Sequence, residues 1–151
     1  MATTVTASTL TVTIQENITL NGTAYNQNMQ KTITGIGNYH KAIYTVRGSG
    51  VSHNVAEFVA IPSGDKFNVE DLRYVRVTNL DDVNNVTASF SSSGASAGIQ
   101  CTPGSSAMLF DKRVGASGLS GPISKVGALD TLYLYNPNAS GVDVEVVIAS
   151  K

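Results

Sequence analysis

Hydrophobic and polar residues alternate with a period of two along much of the chain, a pattern typical of β-strands with one buried face. The clearest example lies at residues 72–90, where Val75 and Val77 alternate with polar neighbours and a second alternating run ends at Phe90. The loop between the two runs is rich in Asn and Asp, which favour turns. We therefore predict an antiparallel hairpin at the centre of the chain.

A long strand is predicted near the N-terminus, because the apolar residues of residues 10–20 all occupy even positions. The dipeptide Asn21-Gly22 follows, and it readily adopts the positive φ angles of a tight turn. We expect a polar loop over residues 24–28 and another strand over residues 29–36.

Further strands are indicated by β-branched, aromatic or apolar runs that end at Gly, Pro or Asn. The last strand is the cleanest, with valines at even positions facing inward and with Asp143 and Glu145 facing outward. One helical turn is predicted at residues 67–71, and a long Gly- and Ser-rich loop at residues 112–126. The additional strands lie at residues 39–47, 55–61, 99–101, 107–110, 132–135 and 142–148.

These elements amount to about nine or ten short strands separated by turns, which predicts an all-β fold. Strands with one apolar face need two packed layers to bury it. We therefore predict a single-domain antiparallel β-sandwich over residues 9–151, either a jelly roll or a related Greek key. Residues 1–8 lack core signals and are expected to form a flexible N-terminal arm.

The low charge of the chain bears on its surface rather than on its fold. Only 14% of the residues are charged, against about 25% in ordinary soluble domains. Such a surface suits a protein that packs against neighbours. The net charge of −1 argues against a nucleic-acid partner, which would require a basic patch or stripe.

The chain contains one cysteine, Cys101, so no internal disulfide can form. Residues 1–6 lack the basic and apolar regions of a secretory signal. No apolar run approaches the roughly 20 residues of a membrane helix. We therefore expect assembly in a cytoplasm, without a membrane partner.

The acidic loop at the centre of the chain offers oxygen atoms that could bind calcium. Its residues Asp81, Asp82, Asn84 and Asn85 do not follow the spacing of a calcium-binding loop. Turn formation accounts for them without a metal.

His40, His53 and Cys101 are single residues on three separate segments, whereas zinc ligands usually occur in closely spaced pairs. Cys101 could act as a nucleophile with either histidine, although a buried cysteine on a strand is the commoner case. The glycines of residues 115–118 lack the Lys and helix of a phosphate loop. We expect no catalytic residue, no metal and no cofactor.

Two tyrosines, Tyr133 and Tyr135, share one face of their predicted strand and could stack on sugar rings or on a protein partner. Ordinary cross-strand packing is an equally good explanation. Tyr74, Arg76 and Thr78 form the outward face of the first strand of the predicted hairpin. These five residues are the candidate interface.

Four stretches, taken in order, resemble a family of small virion structural proteins of marine tailed bacteriophages. None of them is a catalytic signature, and residues 25–64 and 112–126 carry little of the likeness. The stretches are LTVTIQENITLNG (10–22), RYVRVTNLDDVNNVTASF (73–90), TPGSSAMLFD (102–111) and VDVEVVIAS (142–150). The resemblance implies a β-sandwich component of the particle, with decoration or cementing of the head as the role we favour.

Three functional hypotheses follow. The first is a non-enzymatic virion protein that binds the major capsid protein or other virion proteins, and that forms a homo-oligomer such as a trimer. The second is a carbohydrate-binding β-sandwich, or a tail or fibre component used for host attachment. The third is a small hydrolase built around Cys101 and His40 or His53.

Overall fold

The structure is a computed structural model that describes residues 6–59, 66–92, 95–110 and 129–151. Within these ranges the chain forms eleven strands and no helix, so none of its described segments is a helix able to cross a membrane. The loop predicted at residues 112–126 lies outside them, as does most of the predicted arm at residues 1–8. The strands are β1 (Ser8–Leu20), β2 (Thr23–Ile36), β3 (Asn38–Val46), β4 (Ser52–Val59), β5 (Phe67–Asn68), β6 (Leu72–Asn79), β7 (Val86–Ser92), β8 (Ala95–Cys101), β9 (Ser106–Phe110), β10 (Thr131–Tyr135) and β11 (Val142–Ser150).

The chain divides into two compact units, Met1–Gly37 and Asn38–Lys151. The first contains β1 and β2, which pair only with each other among the described strands. The second contains all the other strands. We predicted one sandwich over residues 9–151. In the structure, the two sheets of the sandwich begin at Asn38.

The first unit is an antiparallel hairpin closed by a two-residue turn. Asn21 and Gly22 have φ angles of 50° and 80°, so both adopt the left-handed conformation that this tight turn requires. The predicted loop at residues 24–28 is wrong, since β2 starts at Thr23. Because the turn has only two residues, the strand pairing resumes directly after it, and the polar residues of β2 pair with β1 as far as Ser8.

The second unit consists of a five-stranded sheet in the order β5-β4-β10-β7-β8 and a four-stranded sheet in the order β3-β11-β6-β9. All neighbouring strands are antiparallel except β4 and β5, which run parallel. Both sheets contribute inward side chains to one apolar core. The prediction of an all-β antiparallel sandwich is therefore confirmed. The helical turn predicted at residues 67–71 is wrong, because Phe67 and Asn68 form the short strand β5.

The central hairpin predicted at residues 72–90 is wrong. Both strands exist, but β6 pairs with β11 and β9 in one sheet, and β7 pairs with β10 and β8 in the other. The polar loop between them crosses from sheet to sheet. Period-two alternation is the same in either arrangement, because each strand buries one face in the same core.

Two crossings between the sheets begin with a buried asparagine. Asn79 ends β6 and accepts the backbone N–H of Asp81 on its side-chain oxygen. Its amide donates to the carbonyls of Asn84 and Cys101, at 2.8 and 3.0 Å. Asn136 follows β10 and repeats the pattern, accepting the N–H of Asn138 and donating to two carbonyls. Each side chain thus satisfies backbone groups that the crossing leaves unpaired.

The core lies between the two sheets, and its facing agrees with the predicted alternation. Val77 is fully buried, and so are the inward valines of β11, whereas Asp143 is exposed on the opposite side. A bulge at Arg73 lets both Leu72 and Val75 enter the core. Fully buried residues of the core include Leu72, Val75, Val77, Val86, Ala88, Leu132, Leu134, Val142, Val144 and Val146.

Candidate functional surfaces

The outer face of the five-stranded sheet carries two tyrosines among small polar side chains. In the register, Tyr133 stands beside Ser89 on β7 and Tyr135 stands beside Thr87. On the other side β10 pairs with β4, where Ser52 lies opposite Tyr135. Directly paired residues share a face, so these side chains form one surface, which we call the tyrosine face.

A shallow, open groove of about 370 Å³ lies on the tyrosine face. Its lining combines two aromatic rings with hydroxyl groups and contains no charged side chain. Tyr135 is 36% exposed, and Tyr133 is half-buried beside it. The lining residues are Ser52, Thr87, Ser89, Ser91, Ser96, Tyr133 and Tyr135.

A glycine on β8 stands next to a residue that lines this groove. Gly98 on β8 lies directly opposite Ser89, where any other residue would place a side chain on the tyrosine face. A Cβ at Gly98 would stand only 2.9 Å from the Cγ2 atom of Thr87. The methyl group of Thr87 therefore packs where a side chain at position 98 would stand.

The charged groups nearest the groove in the β4 register neutralise each other. Glu57 accepts from Asn54 at 3.1 Å and forms an ion pair with Lys66 at 2.7 Å. The hydrogen bond from Lys66 is the main reason why the pKa of Glu57 lies below its ordinary value. The edge of the tyrosine face thus carries a compensated pair rather than a net charge.

The predicted interface residues on β6 lie on the outer face of the other sheet, so the five predicted residues do not form one surface. Tyr74 has the outward parity that was predicted, yet it is only 3% exposed. Burial raises the pKa of its phenol. Thr78 lies 2.8 Å from the hydroxyl of Ser106. Whether any of these residues contacts a partner stays a prediction.

Arg76 takes part in a charge cluster on this face. Its guanidinium contacts Glu145 of β11, and Lys41 of β3 approaches the same carboxylate at 2.7 Å. The hydrogen bond from Lys41 is the largest cause that lowers the pKa of Glu145, and Arg76 adds to it. The cluster therefore joins three neighbouring strands.

The acidic loop at the crossing from β6 to β7 is held by its own backbone. The carboxylate of Asp81 accepts the N–H groups of Val83 and Asn84, at 2.8 and 2.6 Å. These bonds lower the pKa of Asp81. The interactions support the turn role predicted for this loop. Within the described ranges no group of three or more His, Cys, Asp or Glu side chains is placed to bind a metal ion.

Cys101 and the two histidines are not brought together. Cys101 is buried on β8, and burial raises the pKa of its thiol, which disfavours the thiolate that a nucleophile needs. His53 lies on β4, three strands away and thus about 14 Å across the sheet. His40 contacts Phe67 and Tyr44 near β5, at the opposite edge from β8.

The hairpin of the first unit carries a surface that the sequence revealed only in part. Paired residues share a face, so the even positions of β1 stand beside odd positions of β2. One side of the ribbon is mainly apolar, and the other is lined by Thr, Asn, Gln and Ala. The apolar ribbon face consists of Leu10, Val12, Ile14, Ile18 and Leu20 with Tyr25, Met29 and Ile33. The strands predicted over residues 10–20 and 29–36 contain most of these residues, but Tyr25 falls in the loop predicted at residues 24–28.

The distal part of the apolar ribbon face is open to solvent. Ile18, Leu20, Tyr25 and Met29 are between 50% and 58% exposed. Glu16 and Lys31 interrupt the apolar residues on the same face. An exposed cluster of this kind marks an interaction surface more often than a free one.

Comparisons of the chain with models of protein families, with curated proteins and with solved structures gave no match.

Proposed function

We propose that the protein is a non-enzymatic structural component of a phage particle, a capsid decoration or cement protein that binds the head lattice and its own copies. The observation that carries the proposal is the exposed apolar ribbon face of the β1–β2 hairpin. The resemblance of residues 73–90 and the three other stretches to phage virion proteins supports it.

A two-stranded ribbon is marginally stable by itself and needs a layer on its apolar face. β1 has 13 residues, which gives a ribbon about 44 Å long at about 3.4 Å per residue. Among the described strands, β1 and β2 have no other strand beside them, so both outer edges present backbone groups for pairing. A protein that joins neighbours in a lattice makes use of both features.

Charge on the ribbon is compatible with pairing between copies. Glu16 and Lys31 lie on the apolar ribbon face, two residue pairs to either side of the Ile14–Met29 pair. When two ribbons pack face to face in opposite directions about that pair, each Glu16 approaches the Lys31 of the other copy. The same surface then serves both partners, as in a two-fold interface.

We further propose that the sandwich is a jelly roll. Without the short β5, the sheets read β4-β10-β7-β8 and β3-β11-β6-β9, and the last two strands each insert between earlier ones. This order supports the proposal, because a jelly roll consists of two interlocked Greek keys with eight strands, an architecture found in viral capsid proteins. The order supports a particle role by analogy of fold, since a fold alone does not define a function.

Quantitative mass spectrometry of purified particles tests the proposal. We expect the copy number of the chain to stand in a fixed ratio to that of the major capsid protein, because a decoration protein occupies equivalent positions on the head lattice. Absence from the particle, or presence at only trace level, would refute it.

A further inference from the structure

We propose that the groove on the tyrosine face binds a neutral saccharide. This inference concerns the second unit alone and stands apart from the lattice role proposed for the ribbon. It starts from a groove of about 370 Å³ lined by Tyr133, Tyr135 and five hydroxyl side chains. That volume falls in the range of about 300 to 1,000 Å³ typical of small-ligand sites.

The chemistry of the lining matches the two sides of a sugar ring. A pyranose presents a C–H face that packs on an aromatic ring and a rim of hydroxyls that exchange hydrogen bonds. Tyr133 and Tyr135 supply apolar ring surface with a polar tip. Ser89, Ser91 and Thr87 stand in line on the neighbouring strand, and each hydroxyl can donate or accept.

The charge distribution favours a neutral ligand. No lining residue is charged, whereas sites for phosphate or sulfate are built from Arg, Lys or helix N-termini. Glu57 and Lys66 at the β4 edge compensate each other at 2.7 Å. An anionic ligand would therefore lose hydration without gaining an opposite charge.

The spacing of the groove indicates how much of a glycan it accepts. Tyr133 and Tyr135 are two residues apart on one strand, about 7 Å along it. That length suits one or two sugar units of a longer chain. Because the groove is shallow, we expect a dissociation constant of about 1 mM for a single site, strengthened when several copies engage one polymer.

A glycan array probed with the full-length protein tests the inference, followed by NMR titration with oligomers of glucose, galactose, mannose and N-acetylglucosamine. We expect binding to neutral glycans, with chemical-shift changes centred on Thr87, Ser89 and Tyr133. Tyr135→Ala should weaken binding at least tenfold, because it removes an exposed ring from the groove. Tyr39→Ala is the matched control, since Tyr39 is 55% exposed on the other sheet.

Gly98→Val is a second variant, which displaces the Thr87 side chain in the groove lining while leaving both tyrosines in place. It should also weaken binding, with an unchanged oligomeric state. The inference is overturned if the wild-type protein binds none of these neutral probes, or if it binds only sialylated or sulfated ones. It is likewise overturned if Tyr135→Ala and Tyr39→Ala bind equally well. These results leave the lattice role intact, because that role depends on the ribbon.

Discussion

Glu145 stands between two cations on the outer face of the four-stranded sheet, and its side chain is only 14% exposed. Lys41 and Arg76 reach it from the strands on either side of β11. Because both partners stabilise the charged form, the pKa of Glu145 is lower in the folded protein than in the unfolded chain. The cluster therefore makes the free energy of unfolding depend on pH.

The sign of that dependence follows from linkage. A depressed pKa stabilises the fold above the ordinary value of 4.5 and loses its contribution as the pH falls through the folded pKa. We predict that Glu145→Gln lowers the free energy of unfolding by about 1 kcal/mol at neutral pH, since Lys41 and Arg76 are partly solvated. The difference from wild type should shrink towards zero well below pH 4.5. Urea unfolding at several pH values measures it, and a difference independent of pH would contradict the account.

Val77 provides a direct test of which side of β6 faces the core, because it is fully buried between the sheets. We predict that Val77→Asp lowers the free energy of unfolding by more than about 4 kcal/mol, which is a large part of the stability of a typical domain. Val83→Asp is the control, since Val83 is 76% exposed and should change stability by less than about 0.5 kcal/mol. Thermal unfolding followed by circular dichroism compares the two. Native stability in Val77→Asp would show that the facing is wrong.

Single residues show where sequence reasoning succeeds and where it fails. Alternation correctly placed Val77 inward and Tyr74 outward, because parity follows from strand geometry. It could not reveal that Tyr74 is buried on its outward side, since alternation does not specify what surrounds a face. Asn79 and Asn136 resembled ordinary turn residues. Their bonds to the carbonyls of Cys101 and Val46 join segments that are distant in sequence.

At the scale of elements, most strands were predicted correctly, but the predicted pairing of the two central strands was wrong. The hairpin assigned to residues 72–90 failed because a polar loop can return a strand to its neighbour or carry it to the opposite sheet. The choice depends on β10 and β11, which lie beside β7 and β6 but come last in the sequence. Such long-range pairing leaves no local signal in the sequence. The turn between β1 and β2 does have a local signal, because Asn21-Gly22 readily adopts φ above zero at both positions, as this tight turn requires.

The hairpin gives the element-scale prediction, which concerns self-association. Ile18→Asp places a charge on the exposed apolar ribbon face and should lower the association constant between copies by at least tenfold. Thr19→Asp is the matched control, because Thr19 lies next in the same strand but on the polar side. Sedimentation velocity over a range of protein concentrations compares both with wild type.

The two variants separate a specific surface from a general effect of charge. Equal loss of association in Ile18→Asp and Thr19→Asp would mean that the apolar ribbon face is not the contact. If the wild-type protein remains monomeric at all concentrations, the apolar ribbon face does not mediate self-association, and its partner is a different protein such as a subunit of the lattice. Circular dichroism of both variants confirms that the sandwich, which lies in the other unit, stays folded.

At the scale of the whole molecule, the chain combines a sandwich with a complete core and a ribbon without one. The sandwich buries a continuous set of aliphatic side chains from both sheets, and three ion pairs join charged side chains among its described residues. The ribbon leaves Ile18, Leu20, Tyr25 and Met29 about half exposed. We infer that assembly supplies the layer that the ribbon lacks.

Since we propose that the chain is part of a phage particle, a reconstruction of that particle at side-chain resolution tests this inference. We expect the sandwich on the outside of the head at repeated lattice positions, with the apolar ribbon face covered by a neighbouring subunit. Ile18 and Tyr25 should then be buried in that contact. Two results would show that assembly does not cover the apolar ribbon face. The particle would lack the chain, or the face would stay open to solvent in every copy.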